Sequence, residues 1–532
     1  MTETVRETER KYEARGAGPA LPPLDGVPGV ARVADGGTAT LDALYYDTPD
    51  LRLAAHGTTL RRRTGGADPG WHLKLPLAPH VQGNRDTREE VRLPLAAGDA
   101  VPPDAPPEVP PEVPPELAAL VRARTGDRPL RPAARLVTVR HLHLLLDAEG
   151  RTLAEVARDR VAAHRLTADA PEAAVTQWSE VEVELGPLGD GGTALLDAVE
   201  QRLAAAGLRR SAAASKLARA LGPDLPAAPA PPPLRTGRTT AADAVLAHLA
   251  GHTERLTALD AAVRRDLPDS VHRMRIAARR LRSALKTFPG VLDPAATGPL
   301  ADELRWLGAE LGADRDREVL DARLHGRVAA LPAPLVVGPV PARLELWSVR
   351  RAADTRPRVL AALDSPRCAA LYDALEALLA DPPTGPDAGR PAARVLPAAL
   401  RHDWRRLAKR VGPALDAPPG PGRDRLLHEA RKAAKRARYA AEAAQPVLGR
   451  PAKRFRDRMK ELQELLGEHQ DAVVARTVLR ELAAAADAAG EPSFTWGVLH
   501  QAEQDAADAA ERRLPRAWRR ASRPGLRRRL SR

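Results

Sequence analysis

Residues 271–288 read VHRMRIAARRLRSALKTF, and residues 427–443 read LHEARKAAKRARYAAEA. Each places a histidine and three basic residues at offsets 0, 3, 7 and 10: His272, Arg275, Arg279 and Arg282, then His428, Arg431, Lys435 and Arg438. That spacing predicts a helix with the four side chains stacked along one face. Like charges so placed repel one another unless an anion lies against them. The blocks that follow, LRWLGAELGADRDREVL at 304–320 and MKELQELLGEHQDAVVA at 459–475, repeat in the same order. Leu304, Gly312 and Asp316 answer to Met459, Gly467 and Asp471, so this half of the chain reads as a duplication of long Ala- and Leu-rich helices.

Working outward, 532 residues are too many for one ordinary core. The net charge of +13 is unevenly held. Residues 1–230 carry 28 Lys/Arg against 32 Asp/Glu, and residues 231–532 carry 54 against 37, so a polyanion-binding surface belongs to the second half. The Pro- and Ala-rich stretch Pro223–Pro233 is expected to form no regular element and to divide the halves. Cys368 is alone, which excludes a disulfide framework or thiolate metal cage within one chain. With no apolar run of about 18 residues and no signal-like N-terminus, the expectation is a soluble, cytoplasmic protein with no membrane segment.

The first half alternates in period 2. Glu180, Glu182 and Glu184 fall on one strand face and Val181, Val183 and Leu185 on the other. Val5–Tyr12 puts Glu7, Glu9 and Lys11 on one face, Leu60–Arg63 has Arg61 and Arg63, Trp71–Leu75 has His72 and Lys74, and Arg88, Glu90 and Arg92 share a face. An edge strand with a wet acidic face is one reading. The other sets the apolar face against helices and turns the charges into a barrel interior, where they need partners such as a phosphate chain and divalent cations. Tyr46 and Trp71 read as packing residues, Asp47 as an anchor for the next loop through backbone donors, and His141 and His143 do not establish a metal site. PPDAPPEVPPEVPP, from Pro102 to Pro115, reads as an extended surface insertion.

Glu7-Thr8-Glu9-Arg10-Lys11, with YYDT at 45–48, GTTLRRR at 57–63, WHLKLP at 71–76 and SEVEVEL at 179–185, resembles the CYTH, or triphosphate tunnel metalloenzyme, family over residues 3–220. The resemblance implies an eight-stranded antiparallel β tunnel with flanking helices that binds triphosphate with Mg2+ or Mn2+. It assigns Lys11, Arg61, Arg63, Lys74, Arg88 and Arg140 to phosphate oxygens, with Lys216 in its terminal SKLAR segment and Arg135 as additions. Arg135 lies on the strand face opposite Arg140 if the strand is regular. The metal side takes Glu7, Glu9, Glu182 and Glu184, with Asp147, Glu155 and Glu180 as further acidic positions, and Glu7, Glu9 and Lys11 are the catalytic candidates. The reaction implied is hydrolysis of inorganic triphosphate to phosphate and pyrophosphate by water, with adenylate cyclase and thiamine-triphosphate hydrolysis as the family's alternatives.

The duplicated HxxRxxxRRLR and LGxxRD blocks resemble the CHAD family, named for its conserved histidines, over residues 237–525. Together the two resemblances imply an α+β multidomain chain, with residues 1–221 the tunnel and 237–525 an all-α pair of four-helix bundles; 222–236 are the linker and 526–532 a basic tail, and the dense arginines from Arg512 to Arg532 are expected to be mobile and to steer polyanions. The second copy departs with Gln470-Asp471 for Arg315-Asp316 and Ala437 for Leu281. Leu281, Leu285, Leu304, Leu307, Leu311, Leu462 and Leu466 are expected in the core. The implied ligand is inorganic polyphosphate and its granules, on both stripes with Lys286, Arg405, Lys409 and Lys432 alongside. Nucleic acid is the less favoured polyanion because aromatics are not regularly interleaved with the charge. A polyphosphate-granule scaffold without turnover is the alternative of a different class.

Overall fold

A computed structural model describes residues 3–13, 21–77, 86–95, 110–166, 175–186, 193–227, 234–235 and 238–531, leaving aside the side chains at 313–316, 352–354 and 531. The chain forms two compact units, Met1–Ala228 and Pro229–Arg532.

The first unit contains β1 (Glu3–Glu13), β2 (Arg32–Asp47), α1 (Arg52–Ala55), β3 (Thr59–Thr64), β4 (Gly70–Pro76), β5 (Thr87–Pro94), α2 (Pro115–Thr125), β6 (Arg131–Leu146), β7 (Thr152–Arg165), β8 (Val175–Leu185), α3 (Ala194–Ala205), β9 (Arg209–Arg210) and α4 (Lys216–Leu221). The sheet order is β5-β4-β3-β2-β6-β7-β8-β1-β9, and an additional β5–β1 pairing closes eight strands into a barrel. Strand β1 closes it by splitting its partners: Glu3–Thr8 pair with β5 and Glu9–Glu13 with β8, both antiparallel. Closure leaves no long unpaired edge, and period-2 alternation sends one face of every strand inward.

The outward faces under α2 and α3 are apolar and covered. Val181 and Val183 pack with Leu196, Val199 and Leu203 of α3, while Leu60, Trp71, Leu73 and Val91 pack with Leu117 and Val121 of α2. The glutamates of β8 therefore face inward, as the barrel reading expects. Tyr46 and Trp71 are buried with ring centroids 5.1 Å apart. The Asp47 carboxylate accepts backbone N–H bonds from Thr48, Leu53 and Ala54 at 2.7, 2.9 and 2.8 Å, which fixes the turn into α1. Helix α4 seats Leu217 and Leu221 against Ala43, Tyr45, Val161 and Ala163, sealing one end of the interior.

The second unit runs α5 (Ala241–Arg264), α6 (Ser270–Thr287), α7 (Pro294–Ala329), α8 (Val340–Asp364), α9 (Pro366–Ala380), α10 (Ala392–Asp416), α11 (Pro421–Leu448), α12 (Arg450–Ala488), α13 (Phe494–Ala521) and α14 (Pro524–Arg528). The stripes lie on α6 and α11, which pack against each other. All seven leucines expected in the core are buried. The first copy's fourth helix is broken into α8 and α9 at Ser365, whose side chain caps α9 by accepting from Cys368 N, and Pro366 cannot continue α8.

Three expectations are corrected. The basic C-terminus is not a mobile tail: Arg512–Ala521 belong to α13, Leu530 is buried, and Arg527 lies 3.6 Å over the Trp404 ring, which stacks on Trp518. Cation–π contact and apolar burial hold it down. The segment from Pro223 is not wholly irregular, since Gly222–Asp224 form a 3-10 turn; residues 228–233 lie outside the described residues. The proline-rich insertion ends as a helix start, with Pro115 at the first position of α2, where its missing N–H costs nothing. Residues 102–109 lie outside the described residues. No helix among the described residues is long and apolar enough to cross a membrane.

Candidate functional site

Strand register assembles the barrel site. Glu9 of β1 is opposite Glu184 of β8, Lys11 opposite Glu182, and Glu184 in turn opposite Glu155 of β7. From the other side, Glu7 is opposite Arg88, Lys74 opposite Glu90, and Arg61 opposite His72. The interior thus mixes both signs in rows. Lys11 Nζ donates to Glu182 at 2.6 Å and lies 3.1 Å from Glu9; Lys74 Nζ donates to Glu7 at 2.5 Å, and Arg92 Nη2 to Glu7 at 2.6 Å. Arg140 grips Asp159 with Nε and Nη2 at 2.9 and 2.7 Å and reaches Glu182 at 2.6 Å.

Lys216 is no surface lysine. It opens α4, behind Ser215, whose side chain accepts from Ala218 N. Its Nζ sits among Asp159 (2.9 Å), Glu180 (2.9 Å) and Glu182 (2.5 Å). Burial opposes charge on Glu182, but Lys11, Lys216 and Arg140 outweigh it and hold the carboxyl well below its usual range. Burial likewise opposes charge on Glu9, and Lys11 and Lys74 bring it to about 2.

Glu184 is the exception. Among the described residues it has no hydrogen bond or ion pair, and burial, then the charge of Glu7, pushes its carboxyl up to about 8. Burial also raises Glu7, against the pull of Lys74. A carboxyl set that repels itself is the donor chemistry a hard divalent cation suits, so Glu7, Glu9 and Glu184 fit such an ion. Among the described barrel carboxylates, the set whose oxygens already lie close enough together to share an ion is Asp159, Glu180 and Glu182, and the Lys216 ammonium occupies its centre. Glu155 is exposed on the same face as Glu184.

Two assigned residues fall elsewhere. Arg135 points outward, paired with Asp42 at 2.5 Å and half exposed, because it is on the strand face opposite Arg140. Asp147 belongs to the β6–β7 turn, where it accepts from Glu149 N and Arg151 N at 3.0 and 2.8 Å and binds the Arg151 side chain. Arg61 and Arg63 are inside, Arg61 donating to Tyr45 Oη at 3.2 Å and Arg63 paired with Asp68. Arg88 donates to the carbonyls of Gly57 and Ala214. Sequence reasoning missed Asp159 and Tyr45 and left Glu90 and Arg92 unassigned. His72 donates to Glu90 at 3.1 Å, and Glu90 also holds Arg92. The 155/157/159 alternation of Glu, Ala and Asp was the available signal for Asp159.

In the helical unit the stripes converge. Arg275 and Arg279 from α6 and Arg431 from α11 crowd Lys435; burial, then these three charges, lowers it to about 7. Arg431 lies 3.6 Å from Asp471, and His428 Nδ1 is 2.7 Å from Gln470 Oε1, so the residue that departs from the first copy positions the histidine. The side chains of Arg315 and Asp316 lie outside the described residues. Lys432 turns to Glu429 at 2.8 Å, Lys286 is 3.8 Å from Asp302, and Arg405 and Lys409 are exposed on α10. Arg282, lowered by burial and Arg305, is at the far end of its stripe. His272 stays at the head of its stripe on α6.

Comparison with known proteins agrees with this division. A model of the CYTH domain matches residues 6–221 and one of the CHAD domain matches residues 247–480. The chain belongs to the CYTH–CHAD family. Uncharacterized protein MT2285 of Mycobacterium tuberculosis (strain CDC 1551 / Oshkosh) is 39% identical over 521 residues, 96% of each chain. Among solved structures, PptA from Streptomyces chartreusis is 22% identical with a TM-score of 0.43, covering 53% of this chain and 100% of its own. The CHAD domain from the plant Ricinus communis is 28% identical with a TM-score of 0.39, covering 56% and 94%. The CYTH barrel thus holds the acidic and basic rows, and the CHAD helices hold the doubled stripe.

Proposed function

We propose that the CYTH barrel hydrolyses inorganic triphosphate to phosphate and pyrophosphate with Mg2+ or Mn2+, and that the CHAD helices hold inorganic polyphosphate. The observation that carries the first part is the closed interior in which Lys11, Lys74, Arg61 and Arg140 face Glu7, Glu9, Glu182 and Glu184. Within the chain the cations neutralise Glu7, Glu9 and Glu182, while Glu184 is left without an ion pair among the described residues. A triphosphate with a divalent cation gives each set a better partner: the phosphoryl oxygens draw the lysines and arginines, and the ion draws the carboxylates.

A cation held by Glu7, Glu9 and Glu184 would neutralise charge on the phosphate oxygens and acidify a bound water. The chain's own residues do the rest. Arginine forks at Arg61 and Arg140 fix the direction of the phosphate chain, while Lys11 and Lys74 follow the charge that develops as water adds to the terminal phosphorus and the bridging P–O bond breaks. The α4 plug limits the interior to an end-on substrate and excludes bulk water. Residues 1–221 would carry this reaction and 237–525 the polymer, joined by 222–236, with the protein acting in the cytoplasm at polyphosphate granules.

Triphosphate is incubated with the full chain, with and without Mg2+ or Mn2+, and released phosphate is measured. Metal-dependent release that falls by about 100-fold or more in Glu7→Gln and Lys11→Ala supports the reading. Binding of triphosphate without turnover by the unsubstituted chain rejects it in favour of a polyphosphate scaffold. A panel including ATP and thiamine triphosphate separates the cyclase and thiamine-triphosphatase readings, and competition of DNA against polyphosphate at matched salt tests the choice of polyanion.

A further inference from the structure

Tyr439, buried on α11, is surrounded by three arginines from both copies of the repeat. Arg279, Arg280 and Arg438 stand 5.7, 5.8 and 5.1 Å from its ring centroid. Arg279 Nε donates to Tyr439 Oη at 2.8 Å. One turn further along α11, Glu442 accepts from Arg280 Nε through one carboxylate oxygen at 2.8 Å and from Arg438 Nε through the other at 3.0 Å. All three guanidinium groups are thus held by Nε. Their Nη1 and Nη2 groups have no partner among the described residues.

That arrangement has a chemical consequence. A guanidinium tied at Nε cannot rotate freely, and its two Nη groups form the fork that receives a pair of phosphoryl oxygens. Holding the fork in place before binding removes much of the side-chain ordering cost of association. The repeat does not supply this twice: the positions 156 residues earlier are Ser283 and Lys286, which offer neither a ring nor a carboxylate.

We propose that Arg279, Arg280 and Arg438 form an oxyanion subsite for the phosphate chain at one end of the CHAD stripes, with Tyr439 and Glu442 as its positioning residues. This rests on the reading of the helical unit as a polyphosphate binder and adds Arg280, which lies off the four-residue stripe. Glu442 gives the subsite an unusual signature. Plain Coulomb attraction says that deleting an acid from a polyanion site tightens binding; a positioning role says the opposite.

The full chain is titrated with inorganic polyphosphate of one defined length across a range of salt. Tyr439→Phe keeps the ring and every charge, so affinity should fall roughly fivefold while the slope of log affinity against log salt stays unchanged. Arg280→Ala should weaken binding and reduce that slope by about one. Glu442→Gln should weaken binding despite the lost negative charge. The Arg279 Nε–H resonance should exchange faster with solvent in Tyr439→Phe, a readout that overall stability does not move. Equal affinity in Tyr439→Phe, or tighter binding in Glu442→Gln, overturns the subsite while leaving polyphosphate binding intact. Failure of the unsubstituted chain to bind polyphosphate overturns the underlying reading instead.

Discussion

The guanidinium of Arg431 lies against Gly467: a Cβ at that position would stand 3.5 Å from Arg431 Nη2. Arg275 lies the same way against Gly312 in the other copy, where the distance would be 3.3 Å. Both glycines are helical, where glycine is a poor choice, so space for the arginine is what they supply. Replacing Gly312 with alanine should stabilise the helix by about 0.5–1 kcal/mol and make Arg275 give way by a few tenths of an ångström, whereas the methyl of Gly467→Ala would meet Arg431 at ordinary van der Waals distance and serves as the control. In Gly312→Ala, thermal unfolding should therefore shift upward while polyphosphate affinity falls a few-fold. Parallel changes in both measurements would contradict the division of roles.

Lys435 makes the CHAD site pH-dependent. Its folded-state value, lowered to about 7 by burial and then by Arg431, Arg279 and Arg275, lies below that of an unfolded lysine. At high pH both states are neutral and the group contributes nothing. As pH falls, the unfolded chain takes the proton first, so destabilisation grows down to about 7 and is complete below it. A bound polyanion favours the ammonium, and binding near pH 8 should take up close to one proton, falling toward none below about pH 6. Calorimetry in two buffers of different ionisation enthalpy measures this, and Lys435→Arg should abolish the uptake.

Much of the barrel was legible because period-2 alternation is a local property. Val181, Val183 and Leu185 against Glu180, Glu182 and Glu184 told which face meets helices, and the same rule set Arg135 opposite Arg140. What alternation could not tell is where a distant helix docks. Lys216 lies on a six-residue helix whose seating against the barrel end depends on Leu217 and Leu221, contacts between segments far apart in sequence. Asp147 misled for a related reason: a carboxylate beside a turn satisfies nearby backbone N–H groups before any distant ion. Tyr439 carried no charge and so gave no signal, although it stands within the quoted repeat.

Arg135 and Asp147 provide controls for the tunnel. Arg135→Ala removes an exposed pair with Asp42 and should change stability by less than about 0.5 kcal/mol and triphosphate turnover by less than about twofold. A large loss of turnover with substrate affinity altered would return Arg135 to the phosphate-binding set.

Glu184 should be a residue whose loss stabilises the chain and disables the reaction. Burial and the charges of Glu7, Glu9 and Glu182 outweigh the pull of Lys74 on its carboxyl. Glu184→Gln relieves that repulsion, and without divalent ions the barrel should gain about 1 kcal/mol. Mg2+ or Mn2+ should stabilise the unsubstituted protein by linkage and do so less for the variant. Thermal unfolding with and without the ion reads both effects.

Lys216 should behave in the opposite sense. Its ammonium is the shared counter-charge of Asp159, Glu180 and Glu182, all of them buried. Lys216→Met keeps the length of the chain but leaves Asp159 to Arg140, Glu182 to Arg140 and Lys11, and Glu180 with the Trp178 N–H, and breaking a buried ion cluster from one side costs about 3–5 kcal/mol. Because α4 also closes the barrel end, the loss should appear as early unfolding of the CYTH unit with the CHAD helices retained. Circular dichroism would show helix content surviving the first transition, and a single transition at the unsubstituted temperature would refute the role of Lys216 as the central counter-ion.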